Sequence, residues 1–271
     1  MATGNSVYFA AQSAATQGIG IVTAALETPI AWIRYLGATD SGATFEIDDT
    51  TGDWEFTTDG TTADTTIGIP TLDGTIDVSD AAGNTFADVI AAVNASSNWQ
   101  GYMLGVRPED VSTNTSALTT EIDLSTAAMK ETGLFVFGDE VVSYDVAYAV
   151  SGFDPSKSTT EHWDDTNCAN YLTYANVTCD FTTAGTFKVY SANQTTSTLI
   201  KSVALVDNTA TLFGSAGVDA TFAQSKLGER LIVMSVSDAD ASTDSLHCSG
   251  HSVDYSGERY NNGYSITNVN A

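Results

Sequence analysis

Basic residues are scarce in this chain. Nine Lys and Arg residues stand against 34 Asp and Glu residues, which gives a formal net charge of −25. DNA and RNA binding needs clustered Lys and Arg side chains that displace counterions from phosphates. Nine scattered bases cannot build such a surface, and an anionic membrane surface would repel the chain. We therefore predict no direct nucleic-acid binding and no membrane binding. The charge suits a soluble protein in a medium rich in salt or divalent cations.

Long apolar runs are also missing. The longest apolar neighbourhood, IGIVTAALETPIAWIRYLG, is interrupted by Glu27, Pro29 and Arg34, so no membrane span is predicted. The start, MATGNSVYFAAQSAATQG, has no Lys or Arg ahead of an apolar stretch, so no secretory signal is predicted. The body is nonetheless rich in Thr, Ser, Asn, Asp, Gly and aromatic residues, as extracellular proteins are. Processing of a precursor, non-classical secretion, or release by lysis within a virus particle would each reconcile these features.

Cysteine is the third scarcity. The three cysteines are an odd number, and they cannot form a disulfide scaffold for 271 residues. Cys168 and Cys179 would close one loop if they paired. Three buried or free thiols are the favoured interpretation.

Motifs that identify common enzymes are absent as well. There is no G-x-x-x-x-G-K-[ST] phosphate-binding loop and no G-x-S-x-G nucleophile elbow. GIGIVT lacks the third glycine and the preceding strand of a dinucleotide site. Carboxylates that are close in sequence say nothing about acid–base catalysis in a chain with 34 acids. We predict no enzymatic activity, no catalytic residues and no cofactor, with two metal hypotheses as the exceptions.

The first metal hypothesis is zinc. All the histidines fall in two windows: EHWDDTNC contains His162 and Cys168, and LHCSGH contains His247, Cys248 and His251. Imidazole and thiolate groups suit zinc, and four of them from two loops would complete a tetrahedral site. Neither window has paired C-x-x-C spacing. Ordinary loop and core residues are therefore the favoured interpretation, and zinc is the alternative.

The second metal hypothesis is calcium, in the segment SVSDADASTDS. Asp238, Asp240 and Asp244 have the spacing of positions 1, 3 and 7 of a calcium-binding loop. Thr243 stands where such a loop needs glycine, and Ser249 stands where it needs glutamate, so the segment is not an EF-hand. A solvated acidic turn is the favoured interpretation, with a looser calcium site as the alternative.

β-strand patterns dominate the chain. ATFEID and GDWEFTTDG alternate apolar and polar residues between Thr, Asp and Gly turns, which predicts β-hairpins with Glu46 and Glu55 facing outward. The predicted inward residues are Phe45, Ile47, Trp54 and Phe56. TPIAWIRYLG allows either a short helix or a strand. VDATFAQSKLG indicates a short helix, and Asn262-Gly263 predicts a two-residue hairpin turn near the end of the chain.

The clearest local pattern is strand, capped helix and strand between residues 71 and 104. Leu72, Ile76 and Val78 are expected to share one face of the first strand. Thr85 and Asp88 have the spacing of a capping box at the start of the helix. An apolar stripe then follows at helical spacing, formed by Phe86, Val89, Ile90 and Val93. The favoured interpretation of this stripe is burial against a sheet that continues from Trp99.

These patterns predict a mainly β (α+β) protein. We expect an antiparallel β-sandwich-like body with two or three short helices and an extended N-terminal arm. Three parts are predicted: residues 1–37 as the arm and a short connecting element, residues 38–127 as a β-rich domain with the strand–helix–strand unit, and residues 128–271 as a second β-rich domain or lobe.

The segment TIDVSDAAGNTFADVIAAVNASSNWQGYMLGV resembles segments of tailed-bacteriophage virion structural proteins. In those proteins a strand leads through a Thr-capped helix, which ends in an Asn-Ala-Ser run, to a Trp and a further strand. The resemblance covers residues 72–107 and brings no catalytic residues with it. It implies a non-enzymatic particle component of the head-decoration or tail-tube type.

The leading hypothesis is therefore a virion structural protein. Its partners would be copies of itself and other virion proteins, joined through the arm and through sheet edges. It would be made in the host cytoplasm without a signal peptide and would end in the virion. One alternative is a carbohydrate-binding or adhesive surface module in which Trp54, Trp99 and Trp163 serve as stacking platforms, although a core position is favoured for each. Another is a metal-dependent hydrolase that uses the His and Cys windows.

The zinc hypothesis has a direct test. Protein purified without a histidine tag is expected to carry no stoichiometric zinc, because neither window has the ligand spacing of a structural site. Elemental analysis of the purified chain measures the zinc-to-protein ratio. One zinc per chain would contradict the favoured interpretation, and loss of that zinc in the His247→Ala variant would locate it.

Overall fold

The computed structural model of the chain is mainly β, as the sequence predicted. It describes residues 8–10, 28–113, 115–138, 143–145, 170–180, 186–204, 210–214, 223–226, 229–236, 245–254 and 262–269. The helices in these ranges are α1 (Phe86–Ala95) and α2 (Ala127–Thr132). Neither helix has the length and apolar character that a membrane crossing requires. The strands are β1 (Tyr8–Ala10), β2 (Thr28–Tyr35), β3 (Thr44–Ile47), β4 (Trp54–Phe56), β5 (Thr75–Ile76), β6 (Trp99–Met103), β7 (Leu118–Asp123), β8 (Leu134–Gly138), β9 (Ser143–Asp145), β10 (Asn170–Asp180), β11 (Thr186–Ala192), β12 (Ser197–Ala204), β13 (Ala210–Gly214), β14 (Ala223–Gln224), β15 (Arg230–Val236), β16 (Ser245–Asp254) and β17 (Asn262–Val269).

Two compact units make up the chain. One is Pro29–Asp139, and the other combines Met1–Thr28 with Glu140–Ala271. The sequence placed its divisions after residues 37 and 127. The segment TPIAWIRYLG, which allowed a helix or a strand, forms β2, and β2 lies between β6 and β8 in one sheet.

The unit Pro29–Asp139 contains two sheets, with strand orders β6–β2–β8 and β5–β4–β3–β7. In the first sheet β2 runs antiparallel to β6, and Trp32 faces Tyr102 across the pair. In the second sheet β3 and β4 form the predicted hairpin, with Phe45 opposite Phe56. All four predicted inward residues of this hairpin are buried. The period-two pattern therefore identified the core side of both strands.

Aromatic side chains connect the two sheets inside this unit. Trp99 of β6 lies at the junction, because its ring centroid is 4.9 Å from that of Phe56 and 5.0 Å from that of Tyr35. Phe45 and Trp54 form a further edge-to-face pair at 5.5 Å. Such pairs contribute about 0.5–1.5 kcal/mol each beyond the area they bury. The core of the unit is thus built around rings supplied by four strands.

Helix α1 packs on β6, as the stripe predicted. Its four stripe residues are all buried. Thr85 is the N-cap and accepts a hydrogen bond from the backbone N–H of Asp88, while its hydroxyl donates to the Asp88 carboxylate at 2.5 Å. Near the other end, the Asn94 amide bonds both the N–H and the carbonyl of Gly101, each at 2.9 Å. Because β6 is an edge strand, these bonds cover backbone groups that would otherwise remain open for pairing.

The strand before α1 is shorter than the sequence predicted. Only Thr75 and Ile76 are paired, in β5, and Leu72 is 63% exposed while Ile76 and Val78 are buried. Leu72 precedes a tight turn at Gly74, which adopts a φ of 90° and donates its N–H to the carbonyl of Ile67. The alternating pattern predicted the buried side of the strand correctly. It predicted the burial of Leu72 wrongly, because the turn separates Leu72 from the strand.

A buried carboxylate joins the loop after β4 to the start of β6. Asp64 is 1% exposed, and one of its oxygens accepts from the Trp99 indole N–H and from the Asn98 amide, each at 2.9 Å. Its other oxygen accepts from the backbone N–H and the hydroxyl of Thr66. Burial alone would raise the pKa of Asp64, but these hydrogen bonds outweigh it and hold the pKa below its usual range. The carboxylate is therefore ionised in the folded protein at neutral pH.

The second unit also contains two sheets. One has the order β1–β17–β16–β10–β13, with β14 also paired to β10, and the other has the order β12–β11–β15–β9. Ala223 and Gln224 pair with Leu172 and Tyr171 of β10, so this part of VDATFAQSKLG is a strand and not the predicted helix. Pairing with β10 satisfies backbone groups that a helix would have satisfied internally.

Strand β15 is buried at successive positions. Arg230, Leu231 and Ile232 are each 0% exposed, so this part of the strand is covered on both faces. The neighbouring hairpin of β11 and β12 turns at Asn193, whose side-chain oxygen accepts from the backbone N–H groups of Thr195 and Thr196, each at 2.8 Å. This is an Asx turn, which fixes the register of the hairpin.

Replacing Asp64 tests its role in stability. We expect Asp64→Asn to lower the free energy of unfolding by about 2 kcal/mol, because an amide cannot accept from all four donors and leaves a buried N–H unpaired. Urea denaturation followed by Trp fluorescence measures the change. Asp73→Asn removes the same charge at an exposed position and is the matched control. If both substitutions changed the free energy of unfolding equally, the buried hydrogen-bond network would contribute nothing beyond the loss of one charge.

Candidate functional site

The metal hypotheses fall largely outside the described residues. His162, Cys168 and the aspartates Asp238, Asp240 and Asp244 are not among them. His247, Cys248 and His251 lie in β16, where the backbone pairs with Thr178, Val177 and Tyr174 of β10. Cys179 pairs with Leu246 at the same strand pair. Among the residues that the structure describes, no three His, Cys, Asp or Glu side chains are gathered as a metal ion requires.

Two of the three tryptophans that the adhesive hypothesis would use, Trp54 and Trp99, are core residues. Trp54 is 0% exposed and Trp99 is 1% exposed. The Trp99 indole N–H is also committed to Asp64. A stacking platform for a sugar must present a ring face to solvent, so neither side chain can serve as one. Trp163 lies outside the described residues.

The basic side chains of Pro29–Asp139 are all engaged within the unit. Its sequence contains three bases, Arg34, Arg107 and Lys130. Arg34 donates to a glutamine of β6 at 2.5 Å, and Arg107 forms an ion pair with Asp110. Lys130 donates to the backbone carbonyl of Gly37 and lies over a tyrosine ring. Acids far outnumber these three bases in the sequence of the unit.

Several loops of this unit are built on the same carboxylate turn. An aspartate side chain accepts from the backbone N–H groups two and three residues later, and from nearby Thr or Ser hydroxyls. Asp59 is the fullest case, because it accepts from the N–H and the hydroxyl of both Thr61 and Thr62. The backbone bonds, first that from Thr62, lower the pKa of Asp59 to about 2. Similar bonds lower the pKa values of Asp48 and Asp77. These carboxylates shape loops and carry no sign of catalytic tuning.

In one carboxylate pair the surroundings raise a pKa instead of lowering it. Glu46 and Glu55 stand directly opposite each other on β3 and β4. Burial is the first cause that raises the pKa of Glu55, followed by the facing Glu46 and by the charges of Asp48 and Asp53. Like charges that face each other across a strand pair are destabilising. This is the acidic face of the hairpin that the sequence predicted to point outward.

The edges of the sheets are the strongest candidate interface. In the six-stranded sheet, β1 pairs in parallel with β17, and Tyr8, Phe9 and Ala10 stand opposite Ser265, Ile266 and Thr267. Every other strand pair in that sheet is antiparallel among the described residues. A segment near the start of the chain therefore adds a strand to a sheet formed by strands between residues 170 and 269. Backbone hydrogen bonds hold it there, as they hold an added strand in β-augmentation.

The first residues of β17 differ from the hairpin turn that the sequence predicted there. Asn262 and Gly263 are not a hairpin turn, because they pair with Ser252 and His251 inside the β16–β17 ladder. The pairing extends to Val269 opposite Ser245. The longer strand gives β17 an eight-residue edge, of which β1 occupies three positions.

Other edge strands expose their side chains. β12 bounds the four-stranded sheet of the same unit, and its Leu199 is 48% exposed. β7 bounds the second sheet of Pro29–Asp139, and a register shift against β3 interrupts its pairing. Glu121 and Asp123 on β7 carry charges of the kind that discourage edge pairing. The edges thus differ in how open they are to a further strand.

Comparison with protein families, with curated proteins and with solved structures finds no match for this chain. The sequence predicted an extended N-terminal arm, but it did not predict the pairing of Tyr8–Ala10 with β17 of the same chain, since three residues such as Tyr-Phe-Ala carry no signal for a particular edge.

The Glu46–Glu55 pair yields a pH-dependent prediction. The folded-state pKa of Glu55 lies above its unfolded value, so the ionised pair reduces stability at neutral pH and the loss is recovered as pH falls through the raised pKa. We expect Glu55→Gln to raise the melting temperature by about 2 °C at pH 7, with a smaller gain near pH 4. Thermal unfolding monitored by circular dichroism at both pH values measures this. Glu131→Gln removes the same charge from exposed α2 and is the control. A pH-independent gain would contradict the explanation.

Proposed function

We propose that this protein is a non-enzymatic structural component of a tailed-phage particle, of the capsid-decoration or tail-tube type. It assembles with copies of itself and with other virion proteins through its N-terminal arm and its sheet edges. The observation that carries the proposal is the parallel pairing of β1 with β17, which places β1 at the edge of its sheet. A short strand near the start of the chain that binds a sheet edge is a ready means of joining subunits.

The electrostatics of the chain support the same function. A net charge of −25 keeps particles dispersed, and an acidic wall does not retain passing DNA. In Pro29–Asp139 the few bases are engaged internally, so this repulsion is not offset by a basic patch on that unit. A particle component at the tube wall or on the shell gains from both effects.

The architecture proposed for Pro29–Asp139 is a β-sandwich-like body. Its support is the set of ring contacts between the two sheets, above all Trp99 against Phe56. Two sheets whose inner faces interdigitate form a rigid block. Helix α1 is hydrogen-bonded to the edge of β6 and covers it. The other sheet edges of the block remain for contacts with neighbouring subunits. The residues that precede β2 then act as the extended arm.

Deleting the arm tests the proposal. The full chain is expected to form concentration-dependent oligomers, and deletion of residues 1–27 is expected to abolish them, because it removes β1 and its link to β2. Size exclusion with light scattering at several concentrations measures mass, and negative-stain microscopy of each peak shows rings, trimers or tubes. Deletion of residues 1–7 alone leaves β1 intact and is the matched control.

The outcomes separate the alternatives. Loss of oligomers only in the longer deletion supports assembly through the arm. A full chain that remains monomeric at every concentration contradicts self-assembly. Retention of that monomer on a polysaccharide column would then favour the carbohydrate-binding alternative.

A further inference from the structure

Among the strands that the structure describes, β1 lies at the outermost position of its sheet and has one neighbour in it. It is three residues long, and β17 is its partner. Residues 11–27 then connect it to β2. A terminal strand held by few backbone bonds, followed by a long connection, has the two features that permit exchange between identical chains.

We propose that in the assembled state β1 leaves its own chain and pairs with β17 of a neighbouring copy. The pairing keeps the register seen within one chain, with Tyr8 opposite Ser265 and Ala10 opposite Thr267. This inference rests on the proposed function, because it names how the arm joins subunits. The partner is a second copy of this chain, and the contact is a parallel β-ladder.

The length of the connection permits exchange. The seventeen residues from 11 to 27 span at most about 60 Å when fully extended, at roughly 3.3–3.6 Å per residue. The unit Pro29–Asp139, to which the connection leads, has 111 residues, and a compact unit of that size has a radius of gyration of about 13 Å. The connection is thus long enough to span the width of such a unit and reach a neighbouring copy.

The energetics favour exchange only when copies are held close together. The same backbone bonds form within a chain and between chains, so the pairing itself does not distinguish the two states. Within a chain, the connection gives β1 an effective concentration in the millimolar range at β17. A dilute monomer therefore pairs with itself. At higher protein concentration, weak contacts through the other sheet edges bring the β17 strands of neighbouring copies to a comparable local concentration. The exchanged pairing then stabilises an oligomer that these weak contacts alone would not hold.

Site-directed cross-linking between two chains tests the exchange. One chain carries Tyr8→Cys, and a differently tagged chain carries Ser265→Cys, both in a background where the three native cysteines are replaced by serine. The two chains are co-expressed, and their oligomers are treated with a short bis-maleimide. Each chain has a single thiol, so a cross-link between position 8 and position 265 arises only between chains. We expect a cross-linked heterodimer from the oligomers and none from dilute monomer.

Two controls accompany this measurement. Pairing the Tyr8→Cys chain with a Thr211→Cys chain places the second thiol on β13, at the opposite side of the same sheet, and no cross-link is expected. A single chain with both Tyr8→Cys and Ser265→Cys reports pairing within one molecule. Circular dichroism establishes that the serine background folds. If it does not, p-benzoylphenylalanine at position 8 of the native chain, mixed with isotopically heavy chains, gives the same reading by mass spectrometry.

The results distinguish the two proposals. Heterodimers confined to the Ser265→Cys mixture support exchange. Oligomers that show cross-links only within the doubly substituted chain overturn exchange and leave assembly standing. Oligomers without a cross-link in either form show that the β1–β17 register is not used, which also overturns it. A chain that stays monomeric by light scattering at all concentrations refutes the proposed assembly, and exchange with it.

Discussion

The buried carboxylate of Asp64 is the constraint on which the rest of Pro29–Asp139 depends. It joins residues far apart in sequence, because it binds the Trp99 indole N–H and so places that ring at the junction of two sheets. The same ring contacts Tyr35 and Phe56, which lie on different sheets. A buried charge is tolerated only when its hydrogen bonds are complete. Any rearrangement of the loop would leave both the charge and the indole unsatisfied, so the network selects one packing of the core.

Much of this unit could be predicted from local patterns. The alternation in β3 and β4 and the stripe of α1 identified buried residues correctly, because the period of the side chains follows from backbone geometry alone. The Thr85 cap was also predictable, since its partner lies three residues away. Leu72 was misplaced because a turn can interrupt an alternating pattern without changing its composition. The burial of Asp64 could not be predicted, because two of its partners, Asn98 and Trp99, lie more than thirty residues further along the chain.

The strand pairing at the candidate interface was also hard to predict, because the paired residues are far apart in the sequence. Pairing of β1 with β17 joins the two ends of the chain, and backbone ladders place few demands on side chains. Asn262-Gly263 has the composition of a tight hairpin turn, but the ladder with β16 continues through it. Pairing with the preceding strand thus overrode a strong local preference. The tryptophans show the reverse case, because the general tendency of large aromatic residues to be buried was sufficient to place Trp54 and Trp99 in the core.

The aspartate turns bear on chemical ageing. Asp-Gly sequences convert to isoaspartate when the glycine nitrogen attacks the aspartate side chain. At Asp59-Gly60 that nitrogen donates to the Thr57 hydroxyl at 2.9 Å, and the carboxylate is held by Thr61 and Thr62 with its pKa lowered to about 2. The attacking atom is occupied, and the acid is kept in its ionised and less electrophilic form. At Gly74 the corresponding nitrogen is likewise bonded, to the carbonyl of Ile67. We therefore expect both Asp-Gly sequences to convert to isoaspartate more slowly in the folded protein than in the unfolded chain.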